Sequence, residues 1–260
     1  MKNFLTIDWE EWDDTASMEG WRGKGDGIKL LQPATEKIIS MISPFTATFF
    51  VLAGHVKEYA SLIRLISKEG HEIALHGLRH IPLSRYTPAI FRDEILTAKK
   101  IVEDSTGARV RGFRAPNFSM RLEHRWAMDV LLDCGFEYDA SMTAAVFSRS
   151  LKQGALPIRE ISRSGVGTGL LSLPFGGGGF LRLYPYGLTR SWISQLNEHG
   201  VRAMVYIHPW EIDGRWRNVR GLPFRARAVM GSGLDSVEEK FKGILKDFTF
   251  SSIQEILKEY

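Results

Sequence analysis

Two acidic residues at the end of the first apolar run have the spacing of a paired catalytic site. The run Phe4–Asp8 is typical of a β-strand, in which successive side chains point to opposite faces. Asp8 and Glu10 therefore share one face, while Trp9 points away. Two carboxylates this close repel one another, and both stay ionised only when a cation or a base lies between them. An acidic strand end at the surface is the alternative, and it explains the pair equally well.

A histidine pair, His76 and His80, is the second group that could do chemistry. A gap of three residues lets two imidazoles meet one metal ion on a helical turn or in a tight loop. Zinc peptidases use this gap with a glutamate base after the first histidine, but here Gly77 takes that place. The base must come from elsewhere, and Asp8 is the candidate. Two histidines and Glu10 would leave open positions on zinc for water and substrate; two surface histidines without a ligand role are the alternative.

Two basic residues follow other predicted strands. Arg114 begins the stretch RAPNF, whose proline stiffens the loop, and this arginine could pair with Asp8 and keep it ionised. Backbone N–H groups near Asn117 could face a developing oxyanion. His208, in YIHPW, suits a general acid because the pKa of histidine lies near neutrality. An ordinary surface arginine and a structural histidine are the alternatives.

The elements that must position these groups alternate between short apolar strands and longer helices. This alternation favours parallel strands and an α/β architecture, and one domain over residues 1–260 is predicted, with an irregular insertion at about residues 150–185. In an α/β barrel the polar residues at the carboxyl ends of the strands converge on one face. The predicted strands are Phe4–Asp8, Ala47–Leu52, His71–Leu75, Val110–Phe113 and Val201–Ile207. The predicted helices are Pro33–Ile42, Tyr59–Ser67, Thr87–Ser105 (with Ile90, Ile95, Ala98 and Ile101 recurring on one face), Leu122–Asp133, Thr189–Asn197 and Val237–Phe248.

Composition excludes several classes of protein. The 260 residues are 44% hydrophobic, 25% charged and 11% aromatic, which excludes a disordered chain. No apolar run approaches the roughly 18 residues of a membrane helix, and the acids among the first residues leave no visible secretion signal, so a cytoplasmic location is expected. Cys134 is alone, which excludes an internal disulfide. The net charge of +4 does not argue for a nucleic-acid partner.

One basic stretch stands apart from these motifs. A nucleic-acid surface is one interpretation of it, but an anionic glycan, a lipid-linked diphosphate or plain surface charge each fit a short stretch in a mildly basic chain better. No nucleic-acid partner is predicted. The stretch consists of Arg215, Arg217, Arg220, Arg225 and Arg227, with Trp216 and Phe224 interleaved.

In their order along the chain, these motifs resemble the polysaccharide deacetylases of carbohydrate esterase family 4, also called the NodB homology domain. The resemblance covers about residues 3–210, and residues 211–260 form a C-terminal extension. It implies a distorted (β/α) barrel and a metal site of one carboxylate and two histidines. By their positions, the matching residues are the base Asp8, the metal ligands Glu10, His76 and His80, the base-tuning arginine Arg114 and the acid His208.

The first motif departs from the family's adjacent aspartates, because here it is Asp-x-Glu. This spacing resembles a subgroup with peptidoglycan-deacetylase-like and allantoinase-like members. Asp139 lies where the family's fourth motif should be, and it either orients His208 or caps the following turn. Within the subgroup, the chain most resembles deacetylases encoded near exopolysaccharide and exosortase genes. The residues that carry this likeness are Gly177-Gly178-Gly179-Phe180, Tyr184-Pro185, His208-Pro209-Trp210-Glu211 and the tail from Lys240 to Phe250.

The resemblance implies metal-dependent hydrolysis of N-acetyl groups from an amino-sugar-containing glycan, with release of acetate. The expected cofactor is a divalent metal, with zinc favoured, and the expected partner is an N-acetylated glycan, either free or lipid-linked. Two alternatives remain: a related C–N amidohydrolase acting on a ureide, imide or formamide, and a non-catalytic glycan-binding barrel. The expected substrate contacts are Asn117, Phe118 and Trp210.

Overall fold

The computed structural model of the chain describes residues 1–19, 21, 28–141 and 179–259. Its elements alternate between strands and helices, as the sequence predicts. The described strands are β1 Lys2–Trp9, β2 Thr48–Val51, β3 Glu72–Leu75, β4 Gly112–Phe113, β5 Tyr138–Asp139, β6 Met204–Ile207 and β7 Thr249–Ser251. The described α-helices are α1 Leu31–Ile42, α2 Ala53–Val56, α3 Ala60–Lys68, α4 Pro88–Thr106, α5 Arg125–Asp133, α6 Gly179–Leu183, α7 Tyr186–Glu198, α8 Pro209–Ile212, α9 Phe224–Gly231, α10 Leu234–Asp247 and α11 Ile253–Leu257.

The chain divides into two compact units. The first contains residues 1–48 and 175–260, and the second contains residues 49–174. The single domain over residues 1–260 stays a prediction. Most of the predicted insertion at about residues 150–185, including Gly177 and Gly178, lies outside the described residues. Within the described ranges, none of the helices has the length and apolarity that crossing a lipid bilayer requires.

In the first unit, β1 lies parallel to both β6 and β7. Every residue of β1 from Asn3 to Trp9 is buried, as expected for a strand that is covered on both faces. The register pairs Ile7 with Ile207. The next residues along the two strands, Asp8 and His208, therefore leave adjacent carboxyl ends side by side.

In the second unit, the strands follow the order β5-β4-β3-β2, and β4 lies parallel to both β3 and β5. The backbone hydrogen bonds between these strands continue into the predicted motifs. The amide of Arg114 donates to the carbonyl of Leu75 at 2.9 Å, and the amide of Ala140 donates to the carbonyl of Phe113 at 2.8 Å. This backbone pairing fixes where the Arg114 loop leaves the sheet.

Helix α4 shows where the sequence pattern misplaced a buried face. Its ends agree with prediction: the Thr87 side chain accepts from the amide of Ile90, and Gly107 ends the helix at a φ of 68°. Of the predicted apolar face, Ile95 and Ala98 are buried, whereas Ile90 is 57% exposed and Ile101 is half-buried. The buried face runs one residue later, at the i, i+4, i+7 and i+11 positions Phe91, Ile95, Ala98 and Val102.

Candidate active site

In the first unit, the ends of β1 and β6 bring the two predicted acids to the predicted histidine. His208 Nε2 lies 3.9 Å from Asp8 Oδ2 and 3.8 Å from Glu10 Oε1. Both carboxylates are only 2% exposed. Trp9 lies on the other side of the strand, where its indole N–H donates to Thr35 Oγ1 at 2.9 Å. Two buried carboxylates therefore face one imidazole.

Glu11 is a third buried carboxylate in this segment, and its role is structural. Its two oxygens accept from the amides of Leu30 and Leu31 at 3.2 and 3.3 Å. These amides lie at the start of α1, where helix N–H groups have no partner within the helix. Glu11 thus caps α1 from outside the helix and fixes the chain directly after Glu10.

Glu211 is a site residue that was not predicted from the sequence. Its Oε2 accepts from the backbone N–H of His208 at 2.9 Å and lies 2.9 Å from the ring Nδ1 of the same histidine. A proton on Nδ1 is thereby held toward Glu211, which leaves Nε2 directed at Asp8 and Glu10. The signal was present in the sequence, since an acid three residues into a helix commonly bonds the N-cap amide.

The charges around His208 change its pKa. Burial by itself lowers this pKa, but the charge and hydrogen bond of Glu211, followed by the charges of Glu10 and Asp8, outweigh burial and raise it to about 9. The pKa of Glu211 is lowered: burial opposes this shift, while the charge and hydrogen bond of His208 and the charge of Arg182 drive it. His208 and Glu211 therefore form an imidazolium–carboxylate pair near neutral pH.

Arg182 holds Glu211 from the other side. Its Nε donates to Glu211 Oε1 at 2.8 Å, and the guanidinium is only 7% exposed. Its Nη1 donates to backbone carbonyls at the end of α9 and just beyond it, those of Val229, Met230 and Ser232. The carboxylate is thus fixed between a buried cation and the imidazole, so His208 has little freedom to rotate.

Trp210 supports the same arrangement. Its ring stacks on His208 with a centroid distance of 4.9 Å and an interplanar angle of 25°. Its indole N–H points to Glu10 Oε1 at 3.4 Å. Since Trp210 is 5% exposed, little of its surface is open to a ligand, and its observed contacts position the histidine and the acid. The predicted substrate contact stays a prediction.

In the second unit, His76 follows β3 and is held in one orientation. Its Nδ1 lies 2.8 Å from the carbonyl oxygen of Arg114, so this nitrogen carries the proton and Nε2 keeps its lone pair. The ring centroids of His76 and His80 are 5.5 Å apart. Between them, Gly77 has a φ of 106°, which favours glycine and reverses the chain so that both rings come together.

Arg114 follows β4 and is fully buried. Its guanidinium carbon lies 4.0 Å from the ring centroid of Phe50 and 5.2 Å from that of Phe118, and its Nε donates to the carbonyl of Ala140 at 3.2 Å. Asn117 and Phe118 have positive φ values of 58° and 48°. Such values are uncommon for non-glycine residues and cost energy, and they cluster at functional loops.

Asp139 interacts within the second unit. Its carboxylate accepts from the amide of Ser141 at 3.1 Å and from the Ser141 hydroxyl, and that hydroxyl accepts from the amide of Ala115 at 2.7 Å. Burial raises the pKa of Asp139 to about 6, although the bonds from Ser141 and the charge of Arg114 lower it. Of the two predicted roles, the structure shows capping of the turn. The carboxylate that holds His208 is Glu211, because it lies on the same helical turn as the histidine.

Comparison with known sequences places these motifs in a family. Residues 32–138 match the family described as polysaccharide deacetylase, and residues 138–258 match a domain of unknown function, DUF3473. A chitooligosaccharide deacetylase from Bradyrhizobium sp. (strain ANU 289) is 32% identical over 169 residues, which are 63% of this chain and 70% of that protein.

Solved structures share the fold at low identity. A putative polysaccharide deacetylase from Mycobacterium smegmatis aligns with a TM-score of 0.58 and 17% identity, covering 100% of this chain and 91% of that one. The Puue allantoinase aligns with a TM-score of 0.55 and 17% identity, covering 98% and 88%. The predicted fold class, a distorted (β/α) barrel of the NodB type, is confirmed. The chain belongs to the polysaccharide deacetylase family and is a hydrolase of that type.

Proposed function

We propose that this protein hydrolyses N-acetyl groups from an amino-sugar-containing glycan, either free or lipid-linked, and releases acetate. The observation that carries the proposal is the approach of His208 Nε2 to two buried carboxylates, Asp8 and Glu10, in a chain of this family. An amide hydrolase needs a base and an acid beside the same carbonyl, and these groups supply both. The chitooligosaccharide deacetylase relative supports a sugar acetamide over a ureide, imide or formamide.

Glu10, His76 and His80 are proposed to bind one divalent metal, with zinc favoured. A carboxylate and two histidines are side chains that could together hold a metal ion. The bond between His76 Nδ1 and the Arg114 carbonyl fits this role, because it fixes the tautomer whose Nε2 is the ligand atom. One carboxylate and two imidazoles match the donor types that zinc takes in hydrolytic sites. When bound, the ion would polarise the acetamide carbonyl and acidify a water molecule.

The base in the proposed mechanism is Asp8. It removes a proton from the attacking water as the water oxygen forms a bond to the acetamide carbon. Burial beside His208 keeps Asp8 away from bulk solvent. Arg114 is proposed to stabilise its ionised form, and the two aromatic rings and the Ala140 carbonyl fix this guanidinium in place.

His208 is the proposed acid. It is protonated at neutral pH because its pKa is raised to about 9, and its Nε2 gives a proton to the sugar nitrogen as the C–N bond breaks. The developing oxyanion needs an N–H donor. The amides of Phe118 and Ser119 already donate to Ala115 and Pro116, so the proposed donor is the amide of Asn117.

Acetate release from a panel of N-acetylated oligosaccharides, free and lipid-linked, tests this proposal, with allantoin and a formamide as rival substrates. We expect release from a sugar, its loss with a chelator and its recovery when zinc is added. The Glu10→Gln variant should lose both metal and turnover. The neighbouring Glu11→Gln is the matched control: it changes a buried carboxylate that caps α1, so it should lower stability and retain turnover. Turnover that survives complete metal removal would show that the metal proposal is wrong.

A further inference from the structure

The outer face of α9 exposes large apolar side chains. Phe224 is 86% exposed and Val229 is 54% exposed, whereas Ala226 and Met230 on the inner face are buried. Because residues four apart share a helix face, Phe224 lies in line with Ala228, and Arg225 lies in line with Val229. The exposed face therefore carries apolar and cationic groups together. Exposed apolar groups that lie together and are rimmed by polar residues mark interaction surfaces, and on α9 Phe224 and Val229 are both exposed beside arginines.

The structure also divides the five arginines of the basic stretch into two groups. Three are engaged within the unit: Arg215 pairs with Asp213, Arg217 pairs with Asp235, and Arg227 donates to the Val219 carbonyl. Trp216, in the middle of the stretch, is fully buried. Arg220 and Arg225 are exposed, and neither forms an ion pair with any residue that the structure describes. Arg220 and Arg225, which lie on either side of Phe224 in the sequence, are thus exposed cations without an ion pair among the described residues.

Trp21 adds a second aromatic ring beside the start of α9. Its indole N–H donates to the carbonyl of Gly221 at 3.1 Å, and its ring packs against Trp12 at a centroid distance of 5.6 Å. Trp21 is half-buried, so one part of the indole stays accessible. Gly221 directly follows Arg220 in the chain, so the indole of Trp21 lies next to this arginine.

We infer that these residues form a surface that binds an anionic phospholipid bilayer at its headgroup level. We call it the α9 surface and define it as Trp21, Arg220, Phe224, Arg225 and Val229. Aromatic and aliphatic side chains enter the boundary between headgroups and acyl chains, while arginines pair with anionic headgroups. A nucleic acid fits this surface less well. A single strand binds by stacking its bases on a row of exposed aromatic rings, but Trp216 is buried, and the exposed arginines flank apolar groups.

The inference does not depend on the proposed reaction, but it does concern the same unit. The carbonyl of Val229 in α9 accepts from Arg182, which in turn holds Glu211 behind His208. A bilayer bound at α9 would therefore hold the unit that carries His208 at a fixed distance from the membrane, where a lipid-linked substrate would be presented.

Sedimentation of the full chain with vesicles tests the inference. One set contains phosphatidylcholine and phosphatidylglycerol in equal parts, and the other contains phosphatidylcholine alone. We expect binding to the anionic vesicles only and weakening as salt is raised. Phe224→Ser should lower the apparent affinity about tenfold or more, as expected when a phenylalanine no longer enters an apolar phase. Changing both Arg220 and Arg225 to serine should lower it by a similar factor.

Matched controls lie on the other unit. Ile90 is 57% exposed on α4 and Arg64 is exposed on α3, so Ile90→Ser and Arg64→Ser each remove one exposed group of the same kind that is not part of the α9 surface. Both controls should bind like the wild type, and all variants should keep the wild-type melting temperature. Three results would overturn the inference: equal binding to both vesicle sets or to neither, unchanged binding by Phe224→Ser, or displacement of the protein from vesicles by a soluble acidic polysaccharide that binds through the same residues.

Discussion

The Glu211→Gln substitution should lower the pKa of His208 and leave its position nearly unchanged. Glutamine keeps the volume of glutamate, and its oxygen can still accept from Arg182 Nε at 2.8 Å. Its amide nitrogen then takes the place of Oε2 and cannot accept from the N–H groups of His208. The negative charge is lost, and with it the largest influence that raises the pKa of His208. The change therefore removes the charge of Glu211 and its hydrogen bonds to His208 together, while the volume of the side chain is kept.

The size of the effect follows from the geometry. An opposite charge within about 4–6 Å shifts a pKa by about 1–3 units, and Glu211 Oε2 lies 2.9 Å from the ring Nδ1. We expect the pKa of His208 to fall from about 9 by at least about one unit. In the wild type, the rise from 6.5 to about 9 stabilises the fold by about 3 kcal/mol. Because a raised pKa favours the protonated folded state, this stabilisation is complete below pH 6.5 and is lost as the pH rises through about 9.

The assay uses protein treated with a chelator, so that the charges around His208 are those of the described residues. The ring titration of His208 is followed by NMR, and the free energy of unfolding is measured by denaturant titration at several pH values between 6.5 and 9. At neutral pH we expect the variant to be less stable than the wild type by about 1.4 kcal/mol for each unit by which the pKa of His208 falls, and the difference to shrink on the alkaline side. In the metal-loaded enzyme, the alkaline fall in acetate release should move toward neutrality.

Asp213→Asn is the matched control, because it removes a carboxylate two residues further along whose partner, Arg215, is 62% exposed. A surface pair of this kind contributes little, typically under about 1 kcal/mol. Two results would contradict this role of Glu211: an unchanged pKa of His208 in Glu211→Gln, or an equal change of that pKa in Asp213→Asn. Either result would mean that Glu211 does not set the charge of the imidazole.

Three further outcomes follow from the same structure. Asp8→Asn should lower acetate release about a hundredfold or more, because an amide cannot act as the base. The metal content, measured by elemental analysis, should stay near the wild-type level, and an equal loss of metal would mean that Asp8 is a metal ligand. His208→Ala should slow hydrolysis of an amide more than that of an activated ester, whose leaving group needs no proton, and equal loss on both would contradict its role as acid. Gly112→Ala should destabilise the fold by roughly 1–3 kcal/mol or more in denaturant titration, since its Cβ would lie 1.9 Å from the Tyr138 ring, whereas Gly187→Ala, with nothing within 4 Å, should not.

Local rules of the backbone were enough to predict many of the elements. The apolar run at 47–52 contains the fully buried strand β2, and the strand alternation after β1 places Asp8 and Glu10 toward the same histidine. The ends of α4 were also predictable, because a threonine cap and a glycine in the left-handed region act within one helical turn. Such signals need only neighbouring residues, so they can be found in the sequence itself.

The misplaced face of α4 shows the limit of local reasoning. Ile90 and Phe91 are both apolar, and only packing against the rest of the unit decides which of them is buried. Short elements were missed for a similar reason. The two-residue strand β5 and the four-residue helix α8 carry too little periodicity to predict, and contacts from distant segments stabilise them.

The identities of the residues that could do chemistry were present in the sequence, but their partners were decided by the tertiary structure. Asp139 and Glu211 are both acids near a motif, and the sequence favoured Asp139 as the carboxylate behind His208. The fold bonds Asp139 to Ser141 and sets Glu211 against the imidazole, with Arg182 on its far side. The Arg182 contact spans 29 positions. Contacts of this length depend on how strands and helices pack in three dimensions. The sequence by itself could therefore name His208 as a candidate acid, but it could not show what fixes the charge and orientation of this side chain.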